Sequence, residues 1–344
     1  MPTVPSLDLR PLVRTTAALV ASLTLACCAS RRLDRFEYTR VVMGVQCRIV
    51  AYAPGAEPAA DAARAAFAEL ARLEGVFSDY RDSSEVSALA RAAGVESLPV
   101  SADLVEVLTL ARRVHDATGG AFDVTVGPAS RLWRESRRTS RPPDNEALRA
   151  ARDLIDGTAI RVDASARTVM LERPGMCLDL GGIAKGYSAQ RALAVLARRG
   201  LPCSMVALAG DVAAGDPPPG AAGWRIGTPP ALGLGSALLL SNTSVSTSGD
   251  EEQSVVIEGR HSSHLLDPRT GWSGSPAATT TVVCRDGAVA DALATAIATL
   301  DQARAAQAIG AFPGAAALSA RPGGRATCVG SVSALRWVGG TARP

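Results

Sequence analysis

The sequence predicts an α+β fold: mixed, largely antiparallel sheets flanked by helices. Helical and strand-like periodicities intermingle along the whole chain, many strand-like runs are separated only by short turns, and no repeat of about 20–50 residues is present. A regular βαβ array would place a helix after nearly every strand, which this chain does not do. Its 344 residues, 47% of them hydrophobic, suffice for one large core or two modest ones. One domain over residues 36–340 is expected, open to division into two intertwined subdomains.

Composition narrows the function classes. Charged residues are 20% of the chain and the net charge is +3, so neither a disordered polyelectrolyte nor a nucleic-acid binder is indicated. Aromatics are only 4%, which argues against a base-stacking surface. No uninterrupted apolar run reaches about 18 residues, which excludes a multi-span membrane protein.

The first segment reads as a leader. Arg10 and Arg14 precede an uncharged, mostly apolar or small run over 15–30, and Arg31-Arg32 follow. That is the layout of a secretory signal peptide, placed here at residues 1–28. Cys27 and Cys28 at its end suggest the lipoprotein type, in which such a cysteine is acylated. A membrane-anchored, extracytoplasmic protein facing the periplasm is the expectation; cleavage with release and an uncleaved anchor are the alternatives. The remaining cysteines, at 47, 177, 203, 284 and 328, form no C-x-x-C pair and read as buried small hydrophobes.

Each element then follows from its pattern. Residues 36–52 are rich in β-formers and make one or two strands around Gly44. Residues 57–76 carry Ala, Leu and Phe at helical spacing. Ser and Asp in 78–84 cap a short helix reaching 91, and another helix runs 101–117, opened by Ser101 and closed by Gly119-Gly120. TGGAFDVTVGP at 118–128 suggests a loop running into an apolar strand. The polar, Pro-containing stretch 134–150 reads as an exposed loop leading into a short helix. Strands are expected near 159–163, 167–171 and 176–180, a helix at 182–199, a strand at 204–210 and a loop at 213–223. Further strands are expected near 224–228, 237–247, 254–258, 262–266 and 279–284, then helices at 288–299 and 302–309 and short strands in the tail.

Several constellations could carry chemistry. In LDLGGIAKGYS (178–188) a strand ending near Asp179 turns at Gly181-Gly182 into a helix holding Lys185. Glycines at such a corner let backbone N–H groups and the helix N-terminus approach an anion, though a tight junction alone would also explain them. Lys185 is the only lysine among 36 basic residues. A tight site can demand its compact point charge where the wide arginine fork would not serve. In ADALATA (290–296), Asp291 and Thr295 stand four apart and so share a helix face. Carboxylate and hydroxyl oxygens are ligands that Mg²⁺ accepts; a first-turn Asp favoured by the helix dipole is the alternative. Of the three histidines, His264 near the turn after HLLD is the candidate for proton transfer, whereas His115 lies on a helix beside charged neighbours and reads as a surface residue.

Taken together, VVMG (41–44), FSDYRDSSEVSAL (77–89), GAFDVTVGP (120–128), LDLGGIAKGY (178–187), LAGD (208–211), TSGD (247–250), SHLLDPRTG (263–271) and ADALATA (290–296) resemble the FAD:protein FMN transferase, or ApbE, family. The pieces occur in the family's order from about residue 38 to 300. The resemblance implies an enzyme that uses Mg²⁺ and FAD. It transfers the FMN half to a Thr or Ser hydroxyl of an acceptor flavoprotein of the redox-pump subunit type, and releases AMP. It implies metal ligands at Asp291, Thr295 and the Ala184 carbonyl. It also implies a flavin pocket drawing on Met43, Tyr80, Ala121, Phe122, Asp123, Asp179, Lys185, Asp211 and Leu266, and a functional His264 assisting the acceptor hydroxyl. The chain departs from the family pattern at Ala209, usually Gly, and at Gln190, often Asp; either change could weaken flavin contacts. A Mg²⁺-dependent FAD pyrophosphatase and a non-catalytic FAD-binding lipoprotein are the competing readings.

Overall fold

The computed structural model describes residues 32–338 except 235–236, 250–254, 258–259, 263–264, 274–277, 332 and 334. The leader with Cys27 and Cys28, and the candidate His264, lie outside the described residues.

Eight strands form one sheet: β1 (Asp34–Val42), β2 (Val45–Ala53), β3 (Ser204–Leu208), β4 (Asp211–Ala214), β5 (Thr243–Ser248), β6 (Thr279–Cys284), β7 (Ala316–Ala320) and β8 (Thr327–Gly330). Their order in space is their order in the chain, and every neighbouring pair is antiparallel. The helices come mostly from long insertions between these strands. Between β2 and β3 lie α1 (Ala56–Phe77), α2 (Glu85–Ala92), α3 (Ala102–Thr118), α4 (Gly127–Thr139), α5 (Asn145–Asp153) and α6 (Ala184–Arg198). Helices α7 (Gly287–Ile297) and α8 (Gln302–Gly310) join β6 to β7. Among the described residues no helix is long and apolar enough to cross a membrane.

Strand alternation explains the layering. On β2, Cys47, Ile49, Ala51 and Ala53 pack towards α1 and α6, against Ala59, Ala63, Leu70, Ala192 and Leu196. Val50 and the partly buried Tyr52 point to the opposite face, where a small sheet of Trp224–Gly227, Ala237–Leu240 and Trp337–Val338 covers them. Tyr52 and Trp224 bring their ring centroids to 5.9 Å. The largest cluster unites α3, α7, α8 and the extended Met176–Leu180 segment. Helix α7 is buried nearly all round, as expected of a central helix. Truncating a fully buried leucine such as Leu70 or Leu293 would cost about 2–5 kcal/mol.

The caps agree with the sequence. Ser84, Ser101, Asp144, Asp286 and Asp301 accept hydrogen bonds from the first turns of α2, α3, α5, α7 and α8. Gly119, with φ 58°, closes α3 in the left-handed conformation.

Four expectations need correction. Residues 134–139 are not loop but the second half of α4, whose buried side chains include the small, polar Ser130 and Ser136, so hydropathy hides it. Val124–Val126 is a single 3-10 turn entering that helix, with Pro128 in its first turn, rather than a strand. Residues 176–180 are extended but join no sheet; Met176, Leu178 and Leu180 are buried among helices, and the Asp179 N–H finds the Val124 carbonyl. The strand expected over 237–247 is broken at Asn242, whose φ of 50° starts β5 in a different sheet from Ala237–Leu240.

Candidate active site

One end of the large sheet opens into a cleft of about 1070 Å³. The β1–β2 turn, the β3–β4 turn and the end of β5 converge there. Val42 pairs with Val45, leaving Met43 and Gly44 as a two-residue turn with φ of 54° and 73°, the type I′ pattern. A methionine in that conformation costs about 1 kcal/mol, and it holds Met43 on the cleft wall. The Ala209 N–H donates to the Gln46 carbonyl at 3.2 Å, and Thr247 N–H to the Gly210 carbonyl at 3.1 Å, tying the three edges together.

The floor is made where α6 and α7 meet. Asp291 is the only charged residue of α7 and is 1% exposed. A lone buried carboxylate is costly, so its partners matter. The Gly186 N–H donates to its Oδ2 at 3.1 Å, and Lys185 Nζ lies 3.3 Å from the same oxygen. Burial first, and then the neighbouring Asp211, push the Asp291 carboxyl up to about 7, against the opposing pull of Lys185 and Gly186. Lys185 Nζ also reaches Asp211 Oδ2 at 3.0 Å and the Gly181 carbonyl at 2.9 Å. Burial alone would lower the ammonium pKa, but Asp211 and Asp291 outweigh it and hold it above the usual lysine range. Asp211 is further fixed by Ser246 Oγ at 2.5 Å.

Thr295 follows Asp291 by one turn, and its hydroxyl lies 3.4 Å from Ser248 Oγ. A Cβ on Gly182 would fall 2.9 Å from Thr295 Oγ1 and 3.3 Å from Phe122 Cε2. Only glycine lets the 181–182 corner approach the hydroxyl this closely. Ala184, at the start of α6, lines the cleft beside it.

The upper walls carry the remaining sequence candidates. Ala121 and Phe122 form one wall. Asp123 lines the cleft too, but its carboxylate serves the loop: it accepts from Thr125 N–H and hydroxyl and from Gly157 N–H, and His115 Nδ1 lies 3.2 Å away. His115 is therefore half-hidden and ion-paired, not the surface residue expected from its neighbours. The adjacent Asp123 carboxylate raises its pKa despite burial; burial opposes but does not prevent the lowering of the Asp123 pKa, with Thr125 bonded to it and His115 beside it. Asp179 accepts from the Gly181 N–H at 2.9 Å and so shapes the corner. Leu265 and Leu266 border the cleft at the point where the chain leaves His264. The structure thus brings every sequence candidate except His264, which lies outside the described residues, to one cavity.

Sequence reasoning missed α4. Arg134 bonds Asp79 at 2.5 Å and Asp179 at 2.8 Å, and its guanidinium lies 4.6 Å from the Tyr80 ring centroid. It joins the Tyr80 loop to the glycine corner. A 3.6-residue comparison of Ser130, Trp133, Arg134 and Arg137 would have found this face. The two departures also find places. Gln190 Oε1 accepts from the Gly287 N–H at 2.8 Å, so it caps α7 instead of facing the cleft. Ala209 sits in the β3–β4 turn at φ 50° and is exposed.

A buried carboxylate, a hydroxyl one turn on, a single lysine and a glycine corner beneath aromatic walls define a site for a large, partly planar, multiply charged ligand. The chain belongs to the ApbE family, whose profile matches residues 43–319. It is 31% identical over 313 residues to the FAD:protein FMN transferase of Treponema pallidum, covering 85% of this chain and 86% of that protein. The FAD:protein FMN transferase of Klebsiella pneumoniae is 30% identical over 242 residues, 69% of this chain and 73% of that protein. Among solved structures, the ApbE protein of Thermotoga maritima superposes with a TM-score of 0.77 at 28% identity, covering 86% and 97% of the two chains. The flavin transferase ApbE of Vibrio cholerae, at 23% identity and the same TM-score of 0.77, shares the fold over 88% of this chain and 100% of that one.

Proposed function

We propose that this chain is an FAD:protein FMN transferase: it moves the FMN half of FAD onto a Thr or Ser hydroxyl of an acceptor flavoprotein, with Mg²⁺, and releases AMP. The observation that carries this reading is the buried Asp291 with the half-buried Thr295 one turn on at the floor of the cleft, in a chain whose relatives bear that name.

The donors fit Mg²⁺. Among the described residues no three His, Cys, Asp or Glu side chains gather, so a cation here would rest on a mixed oxygen set: Asp291, Thr295 and the Ala184 carbonyl. Mg²⁺ takes few protein carboxylates and completes its octahedron with water and phosphate oxygens. Burial first, and then Asp211, raise the pKa of the Asp291 carboxyl against the pull of Lys185, so a cation placed here would favour its charged form. When bound, the ion neutralises charge on the pyrophosphate oxygens.

The chain's own groups do the rest. Lys185 and the Gly182 N–H hold remaining phosphate charge, the Gly181 N–H being taken up by Asp179. Met43, Tyr80 and Phe122 enclose the rings and exclude water. The acceptor hydroxyl oxygen forms a bond to the FMN phosphorus while the bond to the AMP phosphate oxygen breaks, its electron pair leaving with AMP. His264 is the proposed acceptor of the hydroxyl proton.

The test is intact-mass spectrometry of an acceptor domain incubated with leaderless protein, FAD and Mg²⁺, with AMP followed in parallel. A gain of one FMN, lost with chelator or in Asp291→Ala, supports the transferase. AMP without a mass gain would make the chain a FAD pyrophosphatase. Bound FAD with neither product would make it a binding lipoprotein. The leader pattern supports a lipid anchor outside the cytoplasm, which acyl-labelling of Cys27→Ser and Cys28→Ser variants would check.

A further inference from the structure

Helix α4 turns Ser130, Arg134 and Arg137 into the cleft, a four-then-three spacing that places them on one face. Arg134 is satisfied by Asp79 and Asp179. Arg137 is not: its Nη1 is buried and has no hydrogen-bond partner among the described residues. Burial, and next the Arg134 charge, depress its pKa, with Tyr80 and Asp179 close enough to pull the other way. A buried donor left unpaired beside a like charge costs stability, so this one has its partner elsewhere. Tyr80 stands beside it, 77% exposed, with Arg134 near its ring. A ring of this kind is a stacking platform, and Arg137 is a donor at its edge.

The chemistry of the wall selects its ligand. Guanidinium groups donate and cannot accept. Adenine sets a ring-nitrogen acceptor beside the exocyclic amino donor on its Watson–Crick and Hoogsteen edges, so one arm of a guanidinium fork meets a donor there, whereas the isoalloxazine sets each carbonyl oxygen beside a ring-nitrogen acceptor. We propose that Arg137 is a specificity-determining residue that donates to a carbonyl of an isoalloxazine stacked at Tyr80, so that the cleft distinguishes flavin from other nucleotide ligands. The inference rests on the FAD reading of the same cleft.

The test is calorimetric binding of FAD, FMN and ADP, each with Mg²⁺, to the wild type, Arg137→Gln and Arg137→Lys, with flavin absorption spectra of the complexes. Loss of a charged hydrogen bond predicts FAD and FMN affinities lower by about tenfold to a hundredfold in Arg137→Gln. ADP affinity stays within about twofold, which also reports an intact fold, and Arg137→Lys recovers part of the loss. The visible band of bound flavin shifts on substitution. Equal weakening of ADP, or unchanged FMN affinity, overturns the proposal while leaving the transferase reading intact. A wild type that binds ADP but neither flavin overturns both.

Discussion

Gly186 and Gly287 meet backbone to backbone where α6 crosses α7. A Cβ on Gly186 would fall 2.0 Å from the Gly287 carbonyl oxygen, and one on Gly287 would fall 2.5 Å from that of Gly186. This contact is what brings the Gly186 N–H to Asp291 and the Lys185 ammonium to the floor of the cleft.

Gly186→Ala therefore forces the two helices apart. Overpacking of this kind costs about 1–3 kcal/mol or more, and the displaced Asp291 loses its N–H donor. Thermal unfolding should show a fall of several degrees in Tm, and calorimetry a weaker Mg²⁺ response. A variant with unchanged Tm and Mg²⁺ affinity would show that the crossing is not constrained.

Mg²⁺ affinity should depend on pH in a stated direction. The Asp291 carboxyl is pushed up to about 7 without the ion, so below that pH a proton competes with the metal. Affinity rises by up to about tenfold per pH unit towards 7 and flattens above it. The Asp291→Asn protein loses both the binding and the slope. Titrations that are flat between about pH 5.5 and 7 would count against the assignment.

His115 and Asp123 form a second pH-dependent element. The His115 pKa is raised above 6.5, so its contribution to stability is complete below about 6.5 and fades as pH rises through the higher folded-state value. The Asp123 pKa is lowered, so its share persists through that window and is lost only in strong acid. The stability gap between wild type and His115→Gln should be wider near pH 6 than near pH 9. Equal gaps in denaturant titrations at the two pH values would remove the coupling.

Ala209 occupies a conformation that favours glycine, at φ 50°. Ala209→Gly relieves strain of about 1–2 kcal/mol and returns part of it as unfolded-chain entropy, for a net gain of about 1 kcal/mol or less. The Tm should rise in thermal unfolding. A lower Tm would mean that the turn is shaped by something other than this residue.

Much of the cleft was legible because its chemistry is local in sequence. Asp291 and Thr295 announce themselves by one helical turn, Lys185 by being alone among arginines, and the 181–182 corner by its paired glycines. Arg134 and Arg137 were not legible. They lie in RLWRESRRT, where charge density masks a helix that buries Ala129, Ser130, Trp133 and Ser136, and small or polar buried residues carry little hydropathy signal. His115 was misjudged for a different reason: its partner Asp123 is close only after the chain has turned at Gly119 and Gly120. Gln190 looked like a lost ligand because spacing gives no clue that its side chain reaches across to α7.

The first strand separates the cleft from the chain's N-terminal segment. It runs from Asp34 to Val42 and ends at the cleft turn, so its start lies at the sheet's opposite end. Nine residues at about 3.3 Å each make a mast of about 30 Å. A lipid on Cys27 or Cys28 would be moored at the foot of that mast by only a few residues. On the proposed lipid anchor, the mouth of the cleft would lie about 30 Å along this strand from the anchored end.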